Sequence, residues 1–284
     1  MNYNLIALDL DGTLLSPDKS ISNRNAASLR RAASAGKKVM ICSGRIFPEA
    51  EICLGPLADS ISLISACNGA DIRENMGSAD RSDTASSFRS AVSHPIPTAI
   101  LDSLIGTLEK SDLFYMIYAS QKVYLERSVF DRFENYHKYI KGRTAPCVLV
   151  QSLRDSIPGI AGEAYKLMAM NPDPAATAEV RADIEERGDI ELSSSWRDNI
   201  EITAQGVDKG SALRDASAIL GIPCAEMIAI GDNENDIPML NEAGLGIAMG
   251  NSTAPARKAA AAITLSNSED GVAAAVDTYI FHSI

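Results

Sequence analysis

The chain has 284 residues, 46% of them hydrophobic, and this length suits two domains better than one core. Its formal net charge of −11 at pH 7 argues against nucleic acid as a partner, because a nucleic-acid-binding protein presents a basic face. No apolar run approaches the roughly 18 residues of a membrane span, no basic segment typical of a secretory signal is present, and the five cysteines lack metal-type spacing. We therefore expect a cytoplasmic protein with reduced thiols and no membrane partner.

The first 80 residues alternate between short apolar runs and helical patterns. This alternation predicts a parallel sheet with right-handed crossovers, whose ligands bind beyond the carboxyl ends of the strands. The predicted elements are strand Leu5–Leu8, a helix from about Ser22 to Ala35, strand Lys38–Cys42, a short helix from near Pro48 and strand Ser60–Ala66.

Two carboxylates, Asp9 and Asp11, follow the first strand, and Gly12 permits a sharp turn there. Residues two apart on an extended chain point the same way, so we expect both carboxylates to converge at the tip of the strand. Two close carboxylates repel each other unless a cation lies between them or one of them holds a proton. The pair therefore indicates a Mg²⁺ site or an acid/base pair, and a solvated turn is the plain alternative.

Ser43-Gly44-Arg45 follows the second strand. A hydroxyl and the backbone N–H groups of such a loop form a small anion-binding seat at the start of a helix, whereas an ordinary serine N-cap is the alternative. Lys209, near the start of a later helix, could neutralise a phosphate as a point charge, or could be a solvated surface lysine.

The middle of the chain has a different pattern. Residues 75–95 are rich in Ser, Asp and Arg and are predicted to be a linker into an inserted α+β unit. The turn Trp196-Arg197-Asp198-Asn199 could reach a substrate or be an ordinary hairpin turn, and the tyrosines of the predicted strands are expected to be core residues. The predicted elements are a helix over Pro97–Glu109, strands Leu113–Tyr118 and Lys122–Leu125, a helix over Phe130–Ile140, strand Tyr165–Met170, a helix over Ala175–Arg187, and strands Ile190–Ser194 and Ile200–Thr203.

A second acidic cluster, Gly231–Asp236, follows the apolar run Met227–Ile230. Its spacing excludes an EF-hand, because the positions that need glycine and glutamate hold Ile237 and Ala243. Mg²⁺ suits better, since it needs few protein carboxylates and keeps waters and phosphate oxygens as ligands. The candidate oxygen donors are Asp9, Asp11 and Asp232, with Asn235 or Asp236 as a further one. The remaining predicted elements are a helix from Lys209 to Leu220, strand Leu245–Ala248, a helix over Thr253–Ala262, strand Ile263–Leu265 and a last helix.

Together, the motifs Asp-Leu-Asp-Gly-Thr, Ser-Gly-Arg, a lone lysine and Gly-Asp-Asn-Glu-Asn-Asp, in this order, resemble the haloacid dehalogenase (HAD) superfamily of Mg²⁺-dependent phosphatases. The resemblance is to the Cof-type sugar-phosphatase branch, with a class IIB cap between the second and third motifs, and it covers residues 1–80 and 200–284. It implies an α/β fold with a Rossmann-like parallel-sheet core at 1–80 and 204–284 and an inserted α+β cap at 81–203.

The resemblance also assigns roles to residues. Asp9 would be the nucleophile that forms an aspartyl-phosphate, and Asp11 the acid and then the base, so that Asp11 must be protonated when substrate binds. Asp9, the Asp11 carbonyl and Asp232 would hold Mg²⁺, while Ser43 and Lys209 would grip the phosphate. Supporting positions around the phosphate would be Gly12, Gly44, Asn235 and Asp236, and candidate substrate contacts are Arg45, Asn68, Arg197 and Asn199.

We therefore expect a Mg²⁺-dependent phosphatase that hydrolyses a small phosphorylated metabolite, with a sugar phosphate as the favoured class. We also expect a monomer or small homo-oligomer. A phosphomutase of the same fold is the nearest alternative, because only the phosphoryl acceptor differs. A non-catalytic phosphometabolite-binding protein is the alternative from another class, and its signature would be the loss of Asp9 or Asp11, both of which are present. Hexose phosphate, erythrose phosphate, pyridoxal phosphate and flavin mononucleotide all stay open as substrates.

Overall fold

The computed structural model describes residues 3–77, 86–196 and 198–281. Within them the strands, β1 to β14 along the chain, form two sheets, accompanied by helices α1 to α11. The strands are β1 Leu5–Leu8, β2 Lys38–Cys42, β3 Leu63–Ala66, β4 Asp71–Asn75, β5 Phe88–Ser93, β6 Phe114–Ala119, β7 Val123–Glu126, β8 Cys147–Val150, β9 Ala164–Met170, β10 Ile190–Ser193, β11 Asn199–Ala204, β12 Met227–Gly231, β13 Leu245–Ala248 and β14 Ala262–Ile263. The helices are α1 Asn23–Ser34, α2 Phe47–Leu54, α3 Thr98–Leu108, α4 Arg127–Arg132, α5 His137–Lys141, α6 Leu153–Ile160, α7 Pro174–Glu185, α8 Lys209–Leu220, α9 Ile237–Glu242, α10 Ala254–Ala259 and α11 Gly271–Tyr279.

The first sheet has the strand order β14-β13-β12-β1-β2-β3-β4-β5, parallel from β14 to β3 and antiparallel from β3 to β5. Successive residues of β1 face opposite cores, Leu5 and Ala7 on one side and Ile6 and Leu8 on the other. Helices α1, α2 and α11 cover one face, and α8, α9 and α10 cover the other. Because both faces are covered, these strands are continuous apolar runs, and the carboxyl ends of β1, β2 and β12 meet at one edge.

The second sheet has the strand order β10-β11-β9-β6-β7-β8 and is antiparallel except between β7 and β8. Helices α3, α6 and α7 contribute Leu104, Ile157 and Ile184 to its core, where Phe114 and Tyr115 are also buried. This α+β unit lies in the chain between β5 and α8. The architecture confirms the predicted class, an α/β parallel-sheet core with an inserted α+β unit.

The predicted elements of the first sheet agree best with the structure. Strands β1, β2 and β13 have the predicted bounds, and α8 ends at Leu220 as predicted. Ser22 caps α1 by accepting a hydrogen bond from the backbone N–H of Asn25. Across residues 3–77, 86–196 and 198–281, no helix has the length and apolar character that crossing a membrane requires.

The prediction of a linker over residues 75–95, and hence of a cap that begins at 81, is wrong for residues 88–93. These residues form β5, an edge strand of the first sheet that pairs with β4. Phe88 is buried, but most of the following residues of β5 are exposed and polar. A half-solvated edge strand therefore has the composition of a linker. Residues 78–85 lie outside the described residues.

Further errors concern short elements. The predicted helix over Phe130–Ile140 is interrupted, because Phe133 has φ −111° and ψ 68°, outside the helical region. Strand β8 and helix α6, which contains Pro158, were not predicted. The helix predicted over Thr253–Ala262 is the shorter α10, and the predicted strand Ile263–Leu265 is β14.

Candidate active site

A group of three carboxylates lies where β1 and β12 end. Oxygens of Asp9, Asp232 and Asp236 are all within 4.8 Å of one another. Asp9 is 6% exposed and Asp236 is fully buried. Burial raises the pKa of Asp9 well above its usual value, and the charges of Asp236 and Asp232 add to this rise.

Lys209 holds two members of this group together. Asp208 caps α8 by accepting a hydrogen bond from the backbone N–H of Ser211, and this places Lys209 in the first turn. The fully buried Lys209 Nζ donates to Asp9 Oδ1 and Asp236 Oδ1, both at 2.6 Å. Burial alone would lower the pKa of Lys209, but the two carboxylates outweigh burial and raise it. Lys209 is therefore not a solvated surface lysine.

The loop after β12 leaves Asp232 better placed than Asp236 to take a cation. Asp236 Oδ2 accepts hydrogen bonds from the backbone N–H groups of Asp232 and Asn233, so both its oxygens are engaged. Asp232 accepts one bond from Thr13 Oγ1 at 2.9 Å, and burial, together with the charge of Asp236, raises the pKa of Asp232 to about 7.

The donor set of this group fits Mg²⁺. Three close carboxylates carry more negative charge than the ammonium of Lys209 neutralises. Hard oxygen donors with room for further ligands suit Mg²⁺. Gly12, at φ +86°, allows the turn to pass close by, since a Cβ there would lie 2.4 Å from Asp232 Oδ2.

Asp11 differs from the expectation that it converges with Asp9. The strand ends at Leu8 and the chain turns, so the side chain of Asp11 accepts from Arg45 Nε at 2.6 Å, Arg45 Nη2 at 2.8 Å and Lys19 Nζ at 2.7 Å. Burial alone would raise the pKa of Asp11, but the hydrogen bonds and charge of Arg45, with those of Lys19, hold it well below its usual range. These ion pairs therefore favour the ionised form of Asp11, whereas the role expected from the resemblance requires a protonated Asp11 when substrate binds.

Ser43 and Gly44, like Asp9, line a cavity that lies between the acidic group and the second unit. Ser43 is buried, and its Oγ accepts a hydrogen bond from the backbone N–H of Arg45 at 3.1 Å. A Cβ on Gly44 would lie 3.1 Å from Asn68 Oδ1, so a side chain at this position would require Asn68 to shift.

Asn68, a candidate substrate contact, joins the two units and is not among the described residues that line the cavity. Its Nδ2 donates to Glu201 Oε2 at 2.6 Å, and its Oδ1 accepts from Asn235 Nδ2 at 3.2 Å. Lys166 Nζ donates to Glu201 Oε1 at 2.9 Å and to the Gly44 carbonyl at 2.7 Å. This buried ion pair was missed in the sequence, although a lysine and a glutamate inside apolar strands were a signal for it.

Asn199 stabilises the turn that carries Trp196. Its Oδ1 accepts from the backbone N–H groups of Ser195 and Trp196 and from Ser194 Oγ. Asn199 is buried, and it is not among the described residues that line the cavity. Arg197, the other candidate in this turn, lies outside the described residues.

A cavity of about 800 Å³ separates the acidic group from the second unit. Residues of the second unit that line it include Tyr118, Tyr139, Met168 and Trp196. An ion pair between Arg143 and Glu49, 2.5 Å apart and largely buried, ties the two units together at its edge. The cavity is therefore lined by the carboxylates Asp9 and Asp232 from the first unit and by aromatic side chains from the second.

A buried acidic group at the carboxyl ends of a parallel sheet, roofed by an inserted α+β unit, is the arrangement of a two-domain α/β enzyme. A family model for haloacid dehalogenase-like hydrolases matches residues 6–276. The 5-amino-6-(5-phospho-D-ribitylamino)uracil phosphatase YcsE of Bacillus subtilis is 29% identical over 283 residues, covering 99% of this chain and 97% of that protein.

Two solved structures have the same fold. A haloacid dehalogenase-like hydrolase from B. subtilis has a TM-score of 0.83 at 26% identity, covering 96% of this chain and 99% of that one. A HAD subclass IIB sugar phosphatase has a TM-score of 0.79 at 21% identity, covering 97% of this chain and 98% of that one. The chain therefore belongs to the haloacid dehalogenase-like hydrolases, in the Cof-type branch, as a phosphoric monoester hydrolase.

Proposed function

We propose that the protein is a Mg²⁺-dependent phosphatase that works through an aspartyl-phosphate on Asp9 and acts on a small phosphorylated metabolite. The observation that carries this proposal is the position of Asp9, a buried carboxylate beside Asp232 on the cavity wall and bonded to Lys209. Mg²⁺, held by Asp9, Asp232 and the Asp11 carbonyl, would shield the nucleophile from the negative phosphate.

In the first half-reaction an Asp9 oxygen bonds to phosphorus, while the bond from phosphorus to the leaving oxygen breaks and that oxygen takes a proton from Asp11. In the second, Asp11 accepts a proton from water, the water oxygen bonds to phosphorus, and inorganic phosphate leaves Asp9 free. Lys209, Ser43 and the N–H groups of its loop would stabilise the non-bridging oxygens of the phosphoryl group.

The ion pairs of Asp11 give this scheme a preliminary step. We propose that the incoming phosphate draws Arg45 and Lys19 away from Asp11, because both cations line the cavity and can bind an anion there. Loss of these partners raises the pKa of Asp11 and allows it to hold the proton.

The unit between β5 and α8 would act as a lid that excludes water, with the core formed by the chain up to residue 93 and from 205. We expect the phosphate of the substrate to be carried by a sugar or polyol chain, in keeping with the phosphorylated ribityl group in the name of the B. subtilis relative. Cytoplasmic location, a monomeric or small homo-oligomeric state and the absence of nucleic-acid partners stay predictions.

The test is phosphate release by wild type and Asp9→Asn, with circular dichroism to compare the folds. The amide Oδ1 can still accept from Lys209, so the fold should survive while release falls to the background rate. Release by Asp9→Asn at a substantial fraction of the wild-type rate contradicts the proposal. Transfer of the phosphoryl group to a second sugar, in place of release, would favour the phosphomutase.

A further inference from the structure

The cavity end formed by the second unit presents aromatic rings, which we call the aromatic wall: Tyr118, Tyr139, Trp196 and Met168 beside them. We propose that this wall binds a planar ring of the leaving group, so that the preferred substrates are phosphomonoesters whose alcohol carries a heteroaromatic ring. The inference rests on the proposed function for the chemistry at Asp9 and adds the class of leaving group.

Trp196 is the main evidence. It is the chain's single tryptophan, it lines the cavity, and it is 46% exposed. Its ring meets Tyr139 in a T-shaped arrangement with centroids 5.1 Å apart. Asn199 stabilises the turn that carries Trp196, because its Oδ1 accepts hydrogen bonds from the backbone N–H groups of Ser195 and Trp196. A large aromatic side chain that is pinned in place yet half exposed has surface available for a ligand ring.

The polar groups of the same wall are already engaged. Arg143 Nη1 donates to the hydroxyls of Tyr118 and Tyr139 at 2.9 and 2.7 Å, and Arg143 also pairs with Glu49. Both carboxylate oxygens of Glu201 accept hydrogen bonds. Because these polar groups hold one another in place, the faces of the aromatic rings are the surface that this wall offers to a ligand.

The size of the cavity agrees with a two-part ligand. Its volume of about 800 Å³ lies in the upper part of the roughly 300–1,000 Å³ range of pockets that enclose drug-sized molecules. A phosphate and a short chain near Asp9 leave space towards the aromatic wall. Asn135 and Lys138 line the cavity on the same segment as Tyr139 and can meet polar atoms at the edge of a heterocycle.

The first experiment compares specificity. The kcat/KM values of wild type, Trp196→Ala and Trp196→Phe are measured with two ring-bearing esters, pyridoxal 5′-phosphate and flavin mononucleotide. The ring-free esters are ribitol 5-phosphate and erythrose 4-phosphate, and acetyl phosphate reports on the chemistry alone. Leu265→Ala is the matched control, because it removes a similarly exposed apolar side chain that does not line the cavity.

We expect wild type to prefer at least one ring-bearing ester by tenfold or more over the ring-free esters. Trp196→Ala should lower that preferred kcat/KM about tenfold to hundredfold, the scale of stacking between a base and an aromatic side chain. Its activity on the ring-free esters should stay within about twofold, and Trp196→Phe should keep most of the ring preference. A preference for ring-free esters, or an equal fall for all esters in Trp196→Ala, overturns the inference.

The second experiment does not need turnover. In Asp9→Asn, which keeps Trp196 as the only tryptophan, fluorescence is titrated with the same esters and corrected for their absorption. Saturable quenching by a ring-bearing ester alone supports the inference, and equal or absent responses overturn it. Wild type that hydrolyses none of the four esters and no acetyl phosphate overturns the proposed phosphatase function, while the quenching still decides the ring site.

Discussion

Replacing Lys209 with methionine tests whether charge balance holds the active site together. The change removes two buried charge-assisted hydrogen bonds, each 2.6 Å long, to Asp9 and Asp236. Removing one partner of a buried ion pair typically costs about 3–5 kcal/mol, because the remaining charge is left unpaired. We therefore expect metal-free Lys209→Met to lose about 3–5 kcal/mol of unfolding free energy, and kcat to fall about 10²–10³-fold with the loss of a phosphate-stabilising donor.

Lys166→Met is the matched control, because Lys166 is also buried and paired, in this case with Glu201. It should lose a similar free energy of unfolding. The two variants should differ in their response to Mg²⁺, since only Lys209→Met makes the acidic group more negative. The stabilisation by saturating Mg²⁺ should exceed that of wild type in Lys209→Met and equal it in Lys166→Met.

The assay is urea unfolding followed by circular dichroism, in chelator and in Mg²⁺. Wild-type stability of Lys209→Met without metal would refute the charge argument. Equal Mg²⁺ increments in all three proteins would refute it as well.

Three further predictions concern the metal, the interface and the turn. Excess chelator should abolish phosphate release and Mg²⁺ restore it, whereas Ca²⁺ should inhibit because its larger, looser coordination misplaces Asp9; full activity in chelator would refute the metal site. Burial alone would raise the pKa of Glu201, but Lys166 outweighs burial and lowers it. The stabilisation of the fold by this ion pair is therefore present above about pH 4.3, the ordinary pKa of glutamate, and is lost as pH falls through the lowered pKa. Unfolding experiments should therefore find Glu201→Gln less stable than wild type by a constant amount above that pH and by less below it, and a difference that grows in acid would contradict this. Asn199→Ala should lose about 1 kcal/mol or more of unfolding free energy, because it leaves partly buried backbone donors of the Trp196 turn without their partner, and should lower kcat/KM more for ring-bearing than for ring-free esters; equal losses for both would count against the turn's role.

The parts that sequence predicts well depend on local pattern. The strand Leu5–Leu8 is a continuous apolar run because helices cover both faces of its sheet, and its position fixes where Asp9 emerges. The apolar run before Asp232 is also a buried strand. It pairs with the strand Leu5–Leu8, and this pairing brings Asp9 and Asp232 together. The acidic group could therefore be placed from spacing and strand order.

The parts that sequence misses depend on partners distant in the chain. Asp11 meets Arg45, 34 residues away, and this pairing lowers the pKa of Asp11, which the pattern of the first strand does not indicate. Lys166 and Glu201 are isolated charges in apolar strands along the sequence, but the two strands are neighbours in the second sheet, where Lys166 also donates to the Gly44 carbonyl. The edge strand Phe88–Ser93 is half solvated, so its pattern alone cannot separate it from a linker.

The most direct test of the central claim is to locate the phosphoryl group on the enzyme. Wild type is mixed with an excess of the best substrate, quenched in acid within one turnover, digested and examined by mass spectrometry. The peptide containing Asp9 should gain one phosphoryl group, the label should disappear when Mg²⁺ is chelated before mixing, and Asp9→Asn should never acquire it. A phosphoryl group on any other residue, or rapid phosphate release without a labelled Asp9 peptide, would contradict this claim.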